Sequence, residues 1–61
     1  MNTQVYVKRR ENNLKQSDVA RAINIHKQTC YLKESGKREF TISEAKRLAK
    51  FYGCTLNDLF Q

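Results

Sequence analysis

Proline and tryptophan are absent from this 61-residue chain, and glycine occurs only at positions 36 and 53. Folds rich in β-turns depend on glycine and proline at their corners, so the scarcity of both residues favours helices. The longest apolar runs are also far too short to cross a bilayer. We therefore predict an all-α protein without a membrane-spanning segment.

Cysteine and histidine are nearly as scarce, with Cys30, Cys54 and His26 as the only examples. No third or fourth ligand accompanies them at a spacing that suits a structural metal site. The two thiols could form one disulfide, but both fall at apolar positions in or between helices, and the chain shows no signal peptide. We interpret them as small buried hydrophobic residues in a reducing cytoplasm, and we expect neither a metal nor a cofactor.

A catalytic group is not recognisable in the sequence. There is no second histidine, no serine in a nucleophile elbow and no glycine-rich phosphate loop. Most of the acidic residues fall at the caps or ends of predicted helices: Asp18, Glu34, Glu39, Glu44 and Asp58. We therefore expect a protein that is not an enzyme and has no small-molecule substrate.

Positive charge is what the sequence has in excess. Twelve lysines and arginines against six acidic residues give a formal net charge of +6 and an isoelectric point near 9.7. A small basic domain commonly binds a polyanion, although a solvated surface explains the charge equally well. The length allows one small domain over residues 1–61 with a marginal core, for which packing against a partner would matter.

Residues 16–36 predict two short helices joined by a tight turn. The first of them carries an apolar stripe at i, i+1 and i+4, formed by Val19, Ala20 and Ile23. Asn24 ends this helix because asparagine tolerates left-handed backbone, and His26 opens the second, which runs to about Ser35. Helices this short, joined by three residues, cannot lie antiparallel and must cross steeply, which is the helix-turn-helix arrangement.

Three further helices are predicted around this motif. The first covers Thr3 to Asn12, with Asn2 or Thr3 as its cap. The other two begin at capping boxes, Thr41 to Glu44 and Thr55 to Asp58, in which a threonine bonds forward and an acidic residue bonds back. Gly53 closes the fourth helix, which carries a repeated apolar pattern: Ile42, Ala45, Leu48, Ala49 and Tyr52.

From Leu14 to Phe60 the chain resembles the lambda-repressor-like, Cro/cI-type (Xre-type) helix-turn-helix domain. The resemblance is carried by Leu14, Gln16, Val19-Ala20, Ile25, the run Glu34-x-Gly36-Lys37-Arg38 and the tail LAKFYGCTLNDLF. It implies a compact five-helix domain that binds an operator on double-stranded DNA, most simply a phage Cro-like repressor reading half-sites as a dimer.

The resemblance implies that the helix starting near Lys27 enters the major groove. Lys27 would contact guanine O6/N7 or a phosphate, and Gln28 would bond bidentately to adenine. Thr29 would touch a phosphate or merely support the first turn. Tyr31 and Leu32, one turn further on, would make apolar contact with a thymine methyl group.

The remaining DNA contacts implied by the resemblance lie on the phosphate backbone. Gln16 would bond a phosphate at the start of its helix, or only help to cap it. Lys37 and Arg38 would lie along the flanking backbone or reach a minor groove, unless their loop is merely solvated. For His26, capping, a phosphate contact and neither role all remain open.

Arg9 and Glu34 match positions that form a buried ion pair in some members of this family. A competing interpretation places Arg9 on a phosphate, and both could hold. Lys15 stands where serine or threonine usually caps the helix, so a cap worth about 1 kcal/mol is missing, with partial compensation by Asp18 through the helix dipole. Lys33 replaces a commoner apolar residue, and if it is buried at all, only its stem should be.

A domain this small makes few base contacts, so we expect a weak homodimer stabilised on DNA. Leu56, Leu59 and Phe60 are the candidates for its interface, although they could simply close the core. We expect no separate effector or oligomerisation domain. An alternative hypothesis is a protein-interaction module, such as an antitoxin or antirepressor, that uses the Tyr31-Leu32 surface.

Overall fold

The computed structural model describes the backbone of residues 3–60 and the side chains of residues 4–60. In this part of the chain it contains five helices and no strand: α1 (Thr3–Glu11), α2 (Gln16–Ala22), α3 (Lys27–Glu34), α4 (Ile42–Tyr52) and α5 (Leu56–Phe60). The predicted all-α fold is thus confirmed, with α1 ending one residue earlier than expected. The proposed cap of α1, the side chain of Asn2 or Thr3, lies outside what is described. None of these helices is long and apolar enough to cross a bilayer.

Left-handed backbone marks the joints between successive helices. Positive φ angles occur at Asn13 (55°), Asn24 (60°), Gly36 (86°) and Gly53 (67°). Asparagine and glycine adopt this conformation at the lowest steric cost, so the chain changes direction within a few residues at each joint. The predicted left-handed backbone at Asn24 is therefore confirmed.

Complete capping boxes start the two C-terminal helices. Thr41 Oγ1 accepts from the amide of Glu44 at 3.2 Å, and Glu44 Oε1 accepts from the amide of Thr41 at 2.9 Å. At α5, the same pair of bonds joins Thr55 and Asp58 at 3.2 and 3.0 Å. Both boxes predicted from the sequence are confirmed, and each satisfies two amides that the first turn leaves unpaired.

The start of α2 is held by only half of such a box. The amide of Lys15 donates to Asp18 Oδ2 at 2.9 Å. The Lys15 side chain makes no capping bond, because an ammonium group has donors but no acceptor. The predicted missing cap is confirmed, and Asp18 compensates through a hydrogen bond as well as through the helix dipole.

A small apolar core lies where all five helices meet. Its buried members are Val5, Val19, Ala20, Ile23, Cys30, Leu48, Ala49 and Leu59. Half-buried residues pack around them: Leu14, Ile25, Phe40, Tyr52, Cys54 and Phe60. Burying one such leucine or isoleucine contributes roughly 1.5–3 kcal/mol, so each helix is held mainly by the one or two side chains it places in this core.

The cysteines are free thiols, with Cys30 fully buried and Cys54 half-buried. Burial raises the pKa of the Cys30 thiol to about 11. The thiol therefore stays protonated at neutral pH and packs as a small apolar side chain.

Two apolar residues lie elsewhere than the sequence pattern suggested. Ile42, the first residue of α4, is 75% exposed. Side chains two positions apart point about 200° apart on a helix, and Glu44 takes the inward direction. Leu59 is 1% exposed in the core of the chain, which corrects its assignment to a dimer surface. Leu56 remains exposed, and the Phe60 ring packs edge-on against Phe40 at 5.8 Å between centroids.

Candidate nucleic-acid interface

The turn between α2 and α3 sets the angle at which α3 leaves the domain. Asn24 is left-handed, and the amide of Ile25 donates back to the carbonyl of Ala20 at 2.9 Å. His26 is extended at the N-cap of α3, and its side chain makes no capping hydrogen bond. Of the roles considered for His26, capping is therefore excluded, while its exposed imidazole is free to contact a ligand.

One side of α3 faces solvent and the other faces the core. Lys27 and Gln28 are exposed, and Tyr31 is 49% exposed. Thr29 and Leu32 are half-buried beside them. The opposite face carries Cys30, Lys33 and Glu34, which are all buried. Lys27, Gln28 and Tyr31, which we expected to contact DNA, therefore project from the surface of a helix whose opposite face is buried.

The structure brings together Arg9 and Glu34, for which we expected an ion pair. Arg9 Nη2 lies 2.9 Å from Glu34 Oε1, and Arg9 Nε lies 3.1 Å from both carboxylate oxygens. Arg9 Nη1 also donates to the carbonyl of Leu14 at 3.1 Å. The hydrogen bond that Arg9 donates to Glu34 is the main reason why the pKa of Arg9 is raised above its ordinary value. With these internal partners and little exposure, Arg9 has few donors left for a phosphate.

Gln16 belongs to the same network. Its Nε2 lies 3.4 Å from Glu34 Oε1, so the amide group is oriented between the start of α2 and the end of α3. The side chain is half-buried, and it lines an open groove between α1, the start of α2 and α3. A residue held in this way can meet a phosphate without first being ordered.

A second ion pair, which sequence analysis missed, lies on the other side of α3. Lys33 is 7% exposed, and its ammonium group donates to Glu44 Oε1 at the start of α4. The expectation that only the lysine stem would be buried is therefore wrong. Burial acts to raise the pKa of Glu44, but the bonds from Lys33 and the Thr41 amide outweigh it, so this pKa is lowered. The sequence did not reveal that Glu44 points into the protein, because its spacing from Thr41 already explained it as a capping residue.

The loop after α3 carries the two basic residues expected on the DNA backbone. The amides of Lys37 and Arg38 both donate to the carbonyl of Leu32, at 2.9 and 3.2 Å. Ser35 Oγ donates to the same carbonyl at 3.0 Å. These bonds fix the backbone of Lys37 and Arg38 against the last turn of α3. Their exposed side chains therefore lie beside the end of that helix.

An open groove lies between α1, the start of α2 and the exposed side of α3. Gln16, Lys27 and Tyr31 line it, as do three residues that sequence analysis did not assign to a site: Tyr6, Arg10 and Lys15. The signal that could have found two of them is the i, i+4 spacing of Tyr6 and Arg10, which places both on one face of α1. Gln28, Thr29 and Leu32 lie on α3 outside this groove.

Metal binding finds no support in the described residues. No three histidine, cysteine, aspartate or glutamate side chains in that part of the chain are placed to hold a metal ion. The site is therefore a surface of amide, hydroxyl, ammonium and guanidinium groups around one projecting helix.

Comparisons with known proteins bear on this geometry. A family model described as Helix-turn-helix matches residues 5–59, a span that includes the whole of α2, α3 and α4. The chain is also 35% identical over 48 residues to a protein of Methanocaldococcus jannaschii named as an uncharacterized HTH-type transcriptional regulator. The aligned residues cover 79% of this chain and 73% of that protein. No solved structure matches the chain.

Proposed function

The chain belongs to the helix-turn-helix family, and from this premise we propose that it is a transcriptional regulator that binds double-stranded DNA in the cytoplasm. Within that function we favour a Cro-type repressor that reads operator half-sites. The observation that carries the proposal is the exposure of Lys27, Gln28 and Tyr31 on a helix whose opposite face is buried.

The proposed base contacts come from the exposed side of α3. The major groove of B-DNA admits one helix, and each base pair presents a distinct pattern of donors and acceptors there. Gln28 can donate and accept at adenine, and Lys27 can donate to guanine or to a phosphate. Tyr31 and Leu32 offer apolar surface to a thymine methyl group. We assign sequence preference to these four side chains.

The proposed backbone contacts lie around α3. We assign these phosphate contacts to the side chains of Gln16, His26, Thr29, Lys37 and Arg38. Such contacts set the position of α3 on the duplex but carry no base information themselves. They supply affinity that falls as salt concentration rises.

We further propose that two copies bind together. In this arrangement two recognition helices meet half-sites one helical turn apart, about 34 Å. The exposed Leu56 and the partly exposed Phe60 are the interface candidates that remain, since Leu59 is buried within its own chain. We expect the assembly to be a weak homodimer that becomes stable on a two-fold symmetric DNA site.

A second candidate function is a protein-interaction module, such as an antitoxin or antirepressor. The observation that favours it is Tyr31, an aromatic ring 49% exposed beside the half-buried Leu32. An apolar contact of this kind would depend little on salt. DNA binding should instead lose affinity with a log–log slope of about −0.9 for each phosphate neutralised.

Selection of random duplexes by the purified protein tests the proposal. A consensus with two-fold symmetry, bound with steep salt dependence, is the expected result. Failure to enrich any sequence would overturn it.

On the selected site, Gln28→Ala should lose about 1–3 kcal/mol of preference over scrambled DNA, because one base pair is no longer read. Gln4→Ala, which removes an exposed glutamine of α1, is the matched control and should keep the preference.

A further inference from the structure

The groove between α1 and α3 has a positive charge that no described residue balances. Its single acidic residue, Glu34, is 3% exposed and is neutralised by Arg9. The other charged residues that line it are Arg10, Lys15 and Lys27, and none of these makes an ion pair with a described residue. Three unpaired cations around one concave surface favour an anionic ligand.

Arg10 is held at this groove by an aromatic ring. Its guanidinium carbon lies 6.0 Å from the centroid of Tyr6, and that of Arg9 lies 5.4 Å from the same centroid. A ring that attracts the guanidinium restrains a long side chain that would otherwise be free, so less entropy is lost when a ligand binds. A guanidinium also has the planar pair of donors that matches two oxygens of a phosphate.

The place of the groove identifies which anion it meets. Lys27 and Tyr31 line the groove and also lie on the side of α3 that we assign to the major groove of DNA. Because the groove borders that side of α3, a duplex docked there would bring a sugar-phosphate strand beside α1. The charge and the position together fit a phosphodiester of that strand better than a free anion, because a free anion would gain nothing from the adjacent helix.

We propose that this groove, through Arg10 and Lys15, binds the sugar-phosphate backbone beside the half-site, an inference that rests on the proposed function. The helix α3 is then held from two places: by this groove near Lys27 and by the loop of Lys37 and Arg38 at its other end. The surface that contacts DNA then includes α1, whereas contacts from the base-reading residues alone would be confined to α3.

The test compares Arg10→Ala and Lys15→Ala with Lys50→Ala. All three remove one exposed positive charge, and Lys50 lies on α4 outside the groove. Dissociation constants are measured for the selected duplex and a scrambled duplex over a series of potassium chloride concentrations. Each groove variant should lower the magnitude of the log–log slope by about 0.9 and weaken both duplexes by the same factor. Lys50→Ala should keep the wild-type slope.

The possible outcomes separate the two proposals. If the wild-type protein binds its selected duplex but both groove variants keep its slope, the groove inference fails and the proposed function stands. If the wild-type protein binds no duplex, both fail. Urea unfolding of each variant shows whether the fold is intact, and Arg10→Lys, which keeps the charge without the planar donor pair, should retain the slope while losing part of the affinity.

Discussion

Two buried ion pairs hold the last turn of α3, and they differ in how they are built. Lys33 and Glu34 are adjacent in sequence, and successive residues on a helix point about 100° apart. Glu34 therefore reaches Arg9 on α1, while Lys33 reaches Glu44 on α4. One residue pair of opposite sign thus fixes the recognition helix to two different neighbours.

The surroundings of the two pairs are not alike. On the α1 side, Arg9 also donates to the Leu14 carbonyl, and Gln16 also approaches Glu34. On the α4 side, Glu44 accepts from Lys33 and from the Thr41 amide. Replacing both members of the Arg9 pair by uncharged residues leaves the Leu14 carbonyl without its donor, whereas an amide side chain at position 44 would still accept from Thr41. The Arg9 pair is therefore part of a network, whereas the Lys33 pair is a separable addition to a cap.

Breaking the Arg9 pair should have the largest effect. Glu34→Gln leaves the Arg9 guanidinium partly buried without its counter-charge, and we expect the free energy of unfolding to fall by about 3–5 kcal/mol. Urea denaturation measures it. Glu39→Gln, at an exposed acid of the following loop, is the control and should change little. A loss below 1 kcal/mol for Glu34→Gln would show that the network does not depend on this charge.

Breaking the Lys33 pair should cost less and should be repairable. Lys33→Leu leaves the Glu44 carboxylate without its ammonium partner, and we expect a loss of about 1–3 kcal/mol. Adding Glu44→Gln removes the remaining charge and keeps the acceptor for the Thr41 amide, so stability should return to within about 1 kcal/mol of wild type. Unfolding of the single and double variants gives the coupling energy.

The corresponding double substitution on the α1 side tests whether the two ion pairs differ. Arg9→Leu with Glu34→Gln also removes both charges, yet it should stay destabilised because the Leu14 carbonyl loses its donor. Full recovery in that protein would mean that the two pairs are equivalent and that the network has no added value.

The pH dependence of stability should distinguish the α4 pair from the rest of the protein. The pKa of Glu44 is lowered in the folded chain from its ordinary value of 4.5. The ion pair therefore contributes fully above that value and is lost as the pH falls through the lower, folded pKa. We expect the stability difference between wild type and Glu44→Gln to shrink as the pH is lowered below 4.5, measured by urea unfolding at successive pH values.

The smallest expected effect concerns Tyr52, next to the α1 network. Burial, and then the negative charge of Glu34, raise the pKa of Tyr52 to about 12. Its hydroxyl is buried and has no hydrogen-bond partner among the described residues. Tyr52→Phe removes this desolvated group, so thermal unfolding should show unchanged or slightly higher stability, by up to about 1 kcal/mol. Tyr31→Phe, at an exposed hydroxyl, should be neutral. A clear loss at Tyr52 would place its hydroxyl within the network.

The local structure of this protein can be recognised in its amino-acid sequence. Capping boxes at Thr41 and Thr55 and left-handed residues at Asn24 and Gly36 act over four residues or fewer, so they can be recognised without knowing the fold. The position of α3 and its polar face followed from the same local signals. Resemblance to a family, not spacing, suggested the contact between Arg9 and Glu34, whose residues are 25 positions apart.

Features that depend on the packing of separate helices could not be recognised in the sequence. The sequence places Glu44 in a cap, but its second bond to Lys33 exists because α3 and α4 bring the two side chains together. Leu59 is apolar and could have faced a partner or the core, and the packing of α5 showed that it belongs to the core. The groove between α1 and α3 likewise joins charges that are distant in sequence, and no local pattern encodes the distance between two helices.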